Sequence, residues 1–419
     1  MKGNNLLRVL PLLLSLGLCG CPPDPDIKKN GGTDSISVTT NSPIEDKPNK
    51  ISFFIENGPS MWGYAHMGNG FADDIKEFVM NAQDVSDSIE VSLIGIESKK
   101  LCCGPTSLAK KICDTGVFVD KVKSKGASTD VYELLESVVR QTEKNEISVL
   151  ISDFILSPGG QDPSKYFEDN KSSICSIVKY NFSNKGLNSV AVFQLSSKFT
   201  GKYWYYNDSL KKESGIDINE ERPYYIWVIG NSELVKEFTD EKFAKSSRLI
   251  NTYFISTPYD LLNYSFSPSG KYDPLDLKDK HRVKGAYKEK NPKGEVFDFM
   301  VNLDLSKVSL DSLYICDPSN YEIEGDTNYK LLSVKQSKTQ DFTHQMHIEY
   351  QSKDRIKPVT LKVKLRNKFP DWVKSADCSK AWPTEKGKTY GLQSLIEGLY
   401  EGMTANGKYY FEITLNINK

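Results

Sequence analysis

Three short stretches of this chain carry oxygen donors where chemistry could gather. Glu56-Asn57-Gly58-Pro59-Ser60-Met61 follows the apolar run Ile51–Ile55, Gly126-Ala127-Ser128-Thr129-Asp130 precedes a helical pattern, and Ser152-Asp153 ends the apolar run Ile147–Ile151. Carboxylates and hydroxyls without thiols or imidazoles suit hard cations such as Mg²⁺, Mn²⁺ or Ca²⁺. The same residues also have ordinary local uses. Ser128 or Thr129 can cap a helix, Asp153 can turn a strand end, and Asn57-Gly58-Pro59 is turn chemistry. Nucleophilic or zinc chemistry has less support. The histidines are His66, His281, His344 and His347, and no HExxH, GxSxG, phosphate-loop or dinucleotide motif accompanies them. His344 and His347 lie three apart in a strand-like stretch and so on opposite faces. A hydrolase using Glu56, His66 and Asp153 is the enzymatic alternative to a non-enzymatic binding protein.

The elements that must position these groups are legible from periodicity. Strand-like runs at Ile51–Ile55, Ile89–Ile96, Ile147–Ile151, Ser189–Leu195, Tyr224–Ile229 and Thr252–Ile255 alternate with helical patterns. The helices are marked by Phe71, Ile75, Phe78, Val79 and Ala82, by Val131, Leu134, Leu135, Val138 and Val139, and by stretches near Tyr166–Tyr180 and Glu233–Phe243. The alternation predicts an α/β domain over residues 50–257, an open and mainly parallel sheet with helices on both faces. In such a sheet, loops at the carboxyl ends of strands converge on a ligand crevice.

Residues 258–293 are rich in Pro, Gly, Ser, Asp and Lys and read as a connector. Beyond it the apolar period is two, in Phe297, Phe299, Val301 and Leu303, in Val359, Leu361, Val363 and Leu365, and in Tyr409, Phe411, Ile413, Leu415 and Ile417. This predicts a mainly antiparallel, sandwich-like β-domain over residues 294–419. Leu392, Leu395, Ile396, Leu399, Tyr400 and Met403 mark one helix expected to pack on its sheet.

On these loops the chain resembles the von Willebrand factor A-type domain. The metal-ion-dependent adhesion site of that family uses Asp-x-Ser-x-Ser after the first strand, then a Thr, then an Asp. The resemblance covers about Ile51 to Ile255 and implies Glu56 at the first Asp position, Gly58 at the first Ser, Ser60 at the second Ser, Thr129 at the Thr and Asp153 at the last Asp. The match is degenerate: Gly58 offers no side-chain oxygen, and Glu56 carries its carboxylate one methylene further out. The implied ligand set is Glu56, Ser60, Thr129 and Asp153. The implied function is cation-dependent binding of a partner protein whose acidic side chain completes the metal shell.

Aromatic residues supply a second candidate surface. Trp62 and Tyr64 follow the first loop, and Tyr203, Trp204, Tyr205 and Tyr206 lie in an insertion between Leu195 and Tyr224 expected to project as a hairpin or loop. Trp62, Tyr64, Tyr203 and Trp204 are the candidate contacts to a protein or, in a further alternative, to a glycan.

The N-terminus places this machinery. Lys2 and Arg8, the apolar run Val9–Leu18 and then Cys19-Gly20-Cys21 resemble a bacterial lipoprotein signal. Small Gly20 before it selects Cys21 as the lipidated residue, with residues 1–20 removed and a lipid anchor to the cell-envelope membrane. Residues 21–49 have too little apolar content for a core and read as a disordered tether. Removing residues 1–20 leaves 52 of the 54 basic groups against 55 acidic ones, a formal charge of −3 that gives no indication of a nucleic-acid partner. The expected partner is an envelope, extracellular or host protein. The remaining alternative is a metal-free structural scaffold of a surface assembly. Cys102, Cys103, Cys113, Cys175, Cys316 and Cys378 are left as an even set in a compartment that permits disulfides, with the pairing open.

Overall fold

The computed structural model describes residues 47–95, 99–101, 104–114, 130–207, 209–210, 212–239, 246–261, 263–267, 279–291, 294–339, 341–378, 385 and 387–419. The leader, most of the tether, Cys21, Cys102, Cys103 and Thr129 lie outside these residues.

The first apolar run forms β1 (Lys50–Asn57), and its side chains alternate between two cores, Ile51, Phe53 and Ile55 into one and Phe54 into the other. Helix α1 (Phe71–Ala82) recrosses the first face with Phe71, Ile75, Phe78, Val79 and Ala82 buried. That crossover lets β2 (Ile89–Gly95) run parallel to β1. After β3 (Lys99–Lys100), α2 (Pro105–Ile112) and α3 (Val131–Gln141), β4 (Glu146–Ser152) joins β1 on its other side, also parallel, so Phe53 lies opposite both Val91 and Val149. Next come α4 (Pro163–Ser176), a π-helix at Ile177–Phe182, and the short α5 (Ser183–Lys185).

The sheet then changes character. Strands β5 (Ser189–Asn207) and β6 (Lys212–Gly230) are each 19 residues long and pair antiparallel without a break from Ser189↔Gly230 to Asn207↔Lys212. Helix α6 (Ser232–Thr239) leads to β7 (Leu249–Ser256), antiparallel to β5. The strand order is β3-β2-β1-β4-β6-β5-β7. The α/β class and the helices on both faces are as the alternation predicts: α1, α2 and α6 bury one face, α3 and α4 the other. The mainly parallel sheet is corrected, because only β1–β2 and β1–β4 are parallel pairings and the sheet is mixed. The physical reason is the insertion between Leu195 and Tyr224. It continues both flanking strands as one hairpin, and a hairpin forces its strands to be antiparallel.

The remaining strands are β8 (Tyr264–Phe266), β9 (Arg282–Val283), β10 (Glu289–Asn291), β11 (Gly294–Leu303), β12 (Tyr321–Glu324), β13 (Tyr329–Thr339), β14 (Phe342–Tyr350), β15 (Val359–Arg366), β16 (Asp377–Cys378), β17 (Thr389–Tyr390) and β18 (Tyr409–Ile417). They interleave with α7 (Ser312–Cys316), α8 (Asp371–Ala376) and α9 (Leu392–Met403). One sheet runs β10-β11-β14-β13 with β8 on β11, and another runs β12-β15-β18-β9. Their pairings are antiparallel apart from the short β9–β18 contact. Phe297, Phe299, Val301 and Leu303 from the first sheet meet Leu361, Val363, Leu365, Phe411 and Ile413 from the second in one core. The stretch expected as a connector contributes β8, β9 and β10 to these sheets.

Helix α9 forms where the pattern predicts, but it docks elsewhere. Leu392, Leu395, Ile396, Leu399 and Met403 join the core of the seven-stranded sheet beside Ile174, Val178 and Tyr253. Glycines make the close crossing possible: a Cβ on Gly398 would lie 2.5 Å from the Lys171 carbonyl oxygen, and one on Gly402 would lie 2.7 Å from Val178 Cβ. Cys113, Cys175 and Cys316 are free thiols, and Cys378 is buried. Among the described residues no helix is long and apolar enough to cross a membrane.

Candidate functional site

The parallel pairing of β1 and β4 brings the loop residues together. Ile55 is in register with Ile151, so the next residues, Glu56 and Ser152, are neighbours at the carboxyl ends of the two strands. The Ser152 hydroxyl donates to Glu56 Oε2 at 2.5 Å and accepts from the Phe154 amide at 2.7 Å, while Asp153 Oδ1 accepts from the Ile155 amide at 3.3 Å. Phe154 takes φ of 51°, a left-handed conformation costing a non-glycine residue roughly 1–2 kcal/mol. Its ring offsets that cost: it is fully buried and stacks on Trp227 with centroids 4.6 Å apart. The forced turn sets Asp153 beside Glu56.

Gly58 has a specific part in this geometry. A Cβ there would stand 2.5 Å from Glu56 Oε1. The longer Glu56 side chain therefore fills the space that a serine at position 58 would need, so glutamate and glycine are complementary.

A roof closes the site. Tyr64 donates to the Pro223 carbonyl at 2.6 Å and meets the Phe199 ring edge-on at 5.0 Å, while the Thr200 amide donates to the Gly63 carbonyl at 2.8 Å. A Cβ on Gly63 would run into the Phe199 ring at 2.2 Å, so this loop sits directly on the base of the β5–β6 hairpin. Arg222, only 1 % exposed, donates through Nη2 to the Tyr203 hydroxyl at 2.8 Å and the Lys388 carbonyl at 3.0 Å, and its guanidinium covers the Tyr203 ring at 4.3 Å.

Burial controls the electrostatics. Glu56 is 7 % exposed and Asp153 2 % exposed. Loss of hydration, then the charge of Asp153, push the Glu56 carboxyl up to about 8, against the opposing bond from Ser152. Burial pushes Asp153 up to about 6, held back by the Ile155 amide, the Ser60 side chain and the Arg222 charge. The cluster thus favours holding a proton near neutral pH. Asp153 Oδ2 and Arg222 Nε are buried and make no hydrogen bond among the described residues.

Of the implied ligands, Glu56, Ser60 and Asp153 converge, and Thr129 lies outside the described residues. Among the described residues no three His, Cys, Asp or Glu side chains gather as a metal cluster, so the donors at hand are two carboxylates and the Ser60 and Ser152 hydroxyls. These donors fit a hard cation in kind, and the orphaned Asp153 Oδ2 is the atom that such an ion would satisfy.

The aromatic candidates divide. Tyr64 and Tyr203 are buried in the roof, and Tyr206 is buried as well, whereas Trp62, Trp204 and Tyr205 are half-buried. Trp204 carries the Lys202 ammonium 5.8 Å from its ring centre. Ser152 stood in one of the three donor stretches but outside the implied ligand set, and Arg222 was missed from the sequence. Ser152 had a signal, its place beside Asp153 at the end of an apolar strand. Arg222 had none, because only the hairpin register carries it over the site. No family model, curated protein or solved structure matches this chain.

Proposed function

We propose that this chain is a lipid-anchored protein of a bacterial cell envelope, tethered through Cys21, that binds a protein partner at the loops closing the carboxyl ends of β1 and β4. On this reading the α/β body is related to the von Willebrand A-type domain, and Glu56, Ser60 and Asp153, with Thr129, hold Mg²⁺, Mn²⁺ or Ca²⁺. The observation that carries the reading is the convergence of two buried carboxylates, one with an unpaired oxygen, at the ends of adjacent parallel strands. The parallel β2-β1-β4 core and the reciprocal fit of Glu56 with Gly58 support it too. A bound cation would neutralise the carboxylate pair; Ser152 orients Glu56, and the Phe154 turn orients Asp153. Half-exposed Trp62 and Trp204 are the contacts nearest to hand for a partner.

A metal-free scaffold is the second reading, and Arg222 is what favours it. A permanently charged guanidinium buried near Asp153 supplies positive charge from within the chain. One experiment separates the two readings. Residues 44–419 cluster as a compact unit, and their unfolding is measured in EDTA and in millimolar Mg²⁺, Mn²⁺ or Ca²⁺. An ion bound only by the folded state at 100 times its Kd adds about 2.7 kcal/mol. A cation-specific rise that Asp153→Ala removes supports the cation site; no rise with any ion favours the scaffold.

A further inference from the structure

Away from the carboxylate pair, a cleft of about 250 Å³ lies between the outer edge of β7 and the β-sheets, bounded by α7 and α8. Its wall is aromatic, with Tyr253, Phe254, Tyr314, Phe369 and Tyr410 among the lining residues. The tyrosine hydroxyls are already engaged: Tyr410 donates to the Phe254 carbonyl at 2.7 Å, Tyr314 to the Arg366 carbonyl at 2.7 Å, and Tyr253 to Asn367 Oδ1 at 3.4 Å. The β7 edge is likewise capped where the Trp372 indole donates to the Thr252 carbonyl at 3.3 Å. Tyr253 and Tyr410 are buried, so the ring surface left for a ligand is that of the partly exposed Phe254, Tyr314 and Phe369.

Three charged residues line the cleft, and they are not equivalent. The Lys368 ammonium is held by the Ser319 carbonyl at 3.2 Å and Asn320 Oδ1 at 2.8 Å. Asp311 and Asp371 are exposed. Asp311 uses Oδ1 to cap α7 through the Leu313 amide at 2.6 Å, which leaves Oδ2. Asp371 opens the first turn of α8. Aromatic faces bordered by carboxylates attract a cation that also carries apolar surface. Arginine matches best, since its planar guanidinium stacks on rings and takes carboxylates in a fork, and its stem is apolar.

We propose that this cleft receives an arginine side chain of a protein partner, the stem against the aromatic wall and the guanidinium at Asp311 and Asp371. The cleft has room for one side chain rather than a helix. It shares no residue with the carboxylate site, so this contact does not depend on cation binding there.

The test uses the whole chain with Cys21→Ser to prevent acylation. A pentapeptide of four glycines around a central arginine, blocked at both ends, is titrated in by calorimetry beside its citrulline twin and a blocked single arginine. Saturable binding of the arginine peptide is expected, weakened about tenfold by citrulline and about tenfold by Asp311→Asn with Asp371→Asn. Asparagine caps a helix as well as aspartate does, so that pair of changes preserves α7. Phe369→Leu, which keeps both carboxylates, is expected to weaken binding about threefold. Equal binding of the citrulline peptide overturns the proposal without reference to any variant. So does undiminished binding by the asparagine pair, which would mean attraction to the net negative charge alone. Binding of the single arginine but not the peptide assigns the cleft to free small cations and also overturns it, as does the absence of saturable binding.

Discussion

Replacing Glu56 with glutamine is expected to stabilise the protein, by an amount that depends on pH in a defined direction. The unfolded chain ionises this carboxyl near its ordinary 4.5, whereas burial and the Asp153 charge lift it to about 8 in the fold. Between those values the folded state binds a proton that the unfolded state lacks, so stability falls as pH rises. At about 1.36 kcal/mol per unit, holding Glu56 neutral at pH 7 costs roughly 3 kcal/mol, and at pH 5 less than about 1 kcal/mol. The glutamine side chain would keep an oxygen to accept from Ser152 Oγ and would fill the same space over Gly58, without an ionisable group. The variant should therefore exceed the parent by about 3 kcal/mol at pH 7 and by little at pH 5. Urea unfolding of residues 44–419 in EDTA, from pH 5 to 8, measures both curves. Parallel curves, or a variant less stable than the parent at pH 7, would show that Glu56 is ionised in the fold and refute the electrostatic reasoning. Saturating Mg²⁺ should flatten the parent's curve if the cation reading is right, because the ion then takes the proton's place.

Gly58→Ser alone should destabilise, because its Cβ meets Glu56 Oε1 at 2.5 Å, and Glu56→Asp should relieve it. A double-mutant cycle by urea unfolding is expected to show coupling of about 1–3 kcal/mol, and additive effects would deny that the two residues share space. Gly398→Ala should reverse the usual helical gain of about 1 kcal/mol into a loss of about 1–3 kcal/mol, since the new methyl would face the Lys171 carbonyl at 2.5 Å; a raised melting temperature would contradict the close α9–α4 crossing. Arg222→Met should cost about 2–4 kcal/mol by leaving the Lys388 carbonyl without its donor and Asp153 without a compensating charge. It should also raise the pH at which Asp153 titrates, as read by the pH dependence of unfolding.

Much of the architecture was legible one strand or helix at a time. Ile51, Phe53, Phe54 and Ile55 are apolar on both faces because β1 is sandwiched between helices, and the spacing of Phe71, Ile75, Phe78 and Val79 is enough to define α1. Period-two runs ending at Leu303, Leu365 and Ile417 marked the β-sheets in the same way, since alternation records which side of a strand meets water. Glu56 and Asp153 could be proposed together because each follows an apolar strand, and parallel strands deliver their ends to one place. Local pattern does not encode which strands become neighbours. Residues 196–223 read as an insertion until the hairpin register showed them continuing β5 and β6, and that hairpin both placed β6 beside β4 and carried Arg222 and Tyr203 over the carboxylates. Helix α9 had one apolar face but no local instruction about which core would receive it. Gly398 and Gly402 became informative only once α4 lay against them. What the sequence determined by itself was the period and polarity of each element. The tertiary structure alone decided the partners of those elements, and through them the burial that disfavours the charged form of two ordinary carboxylates.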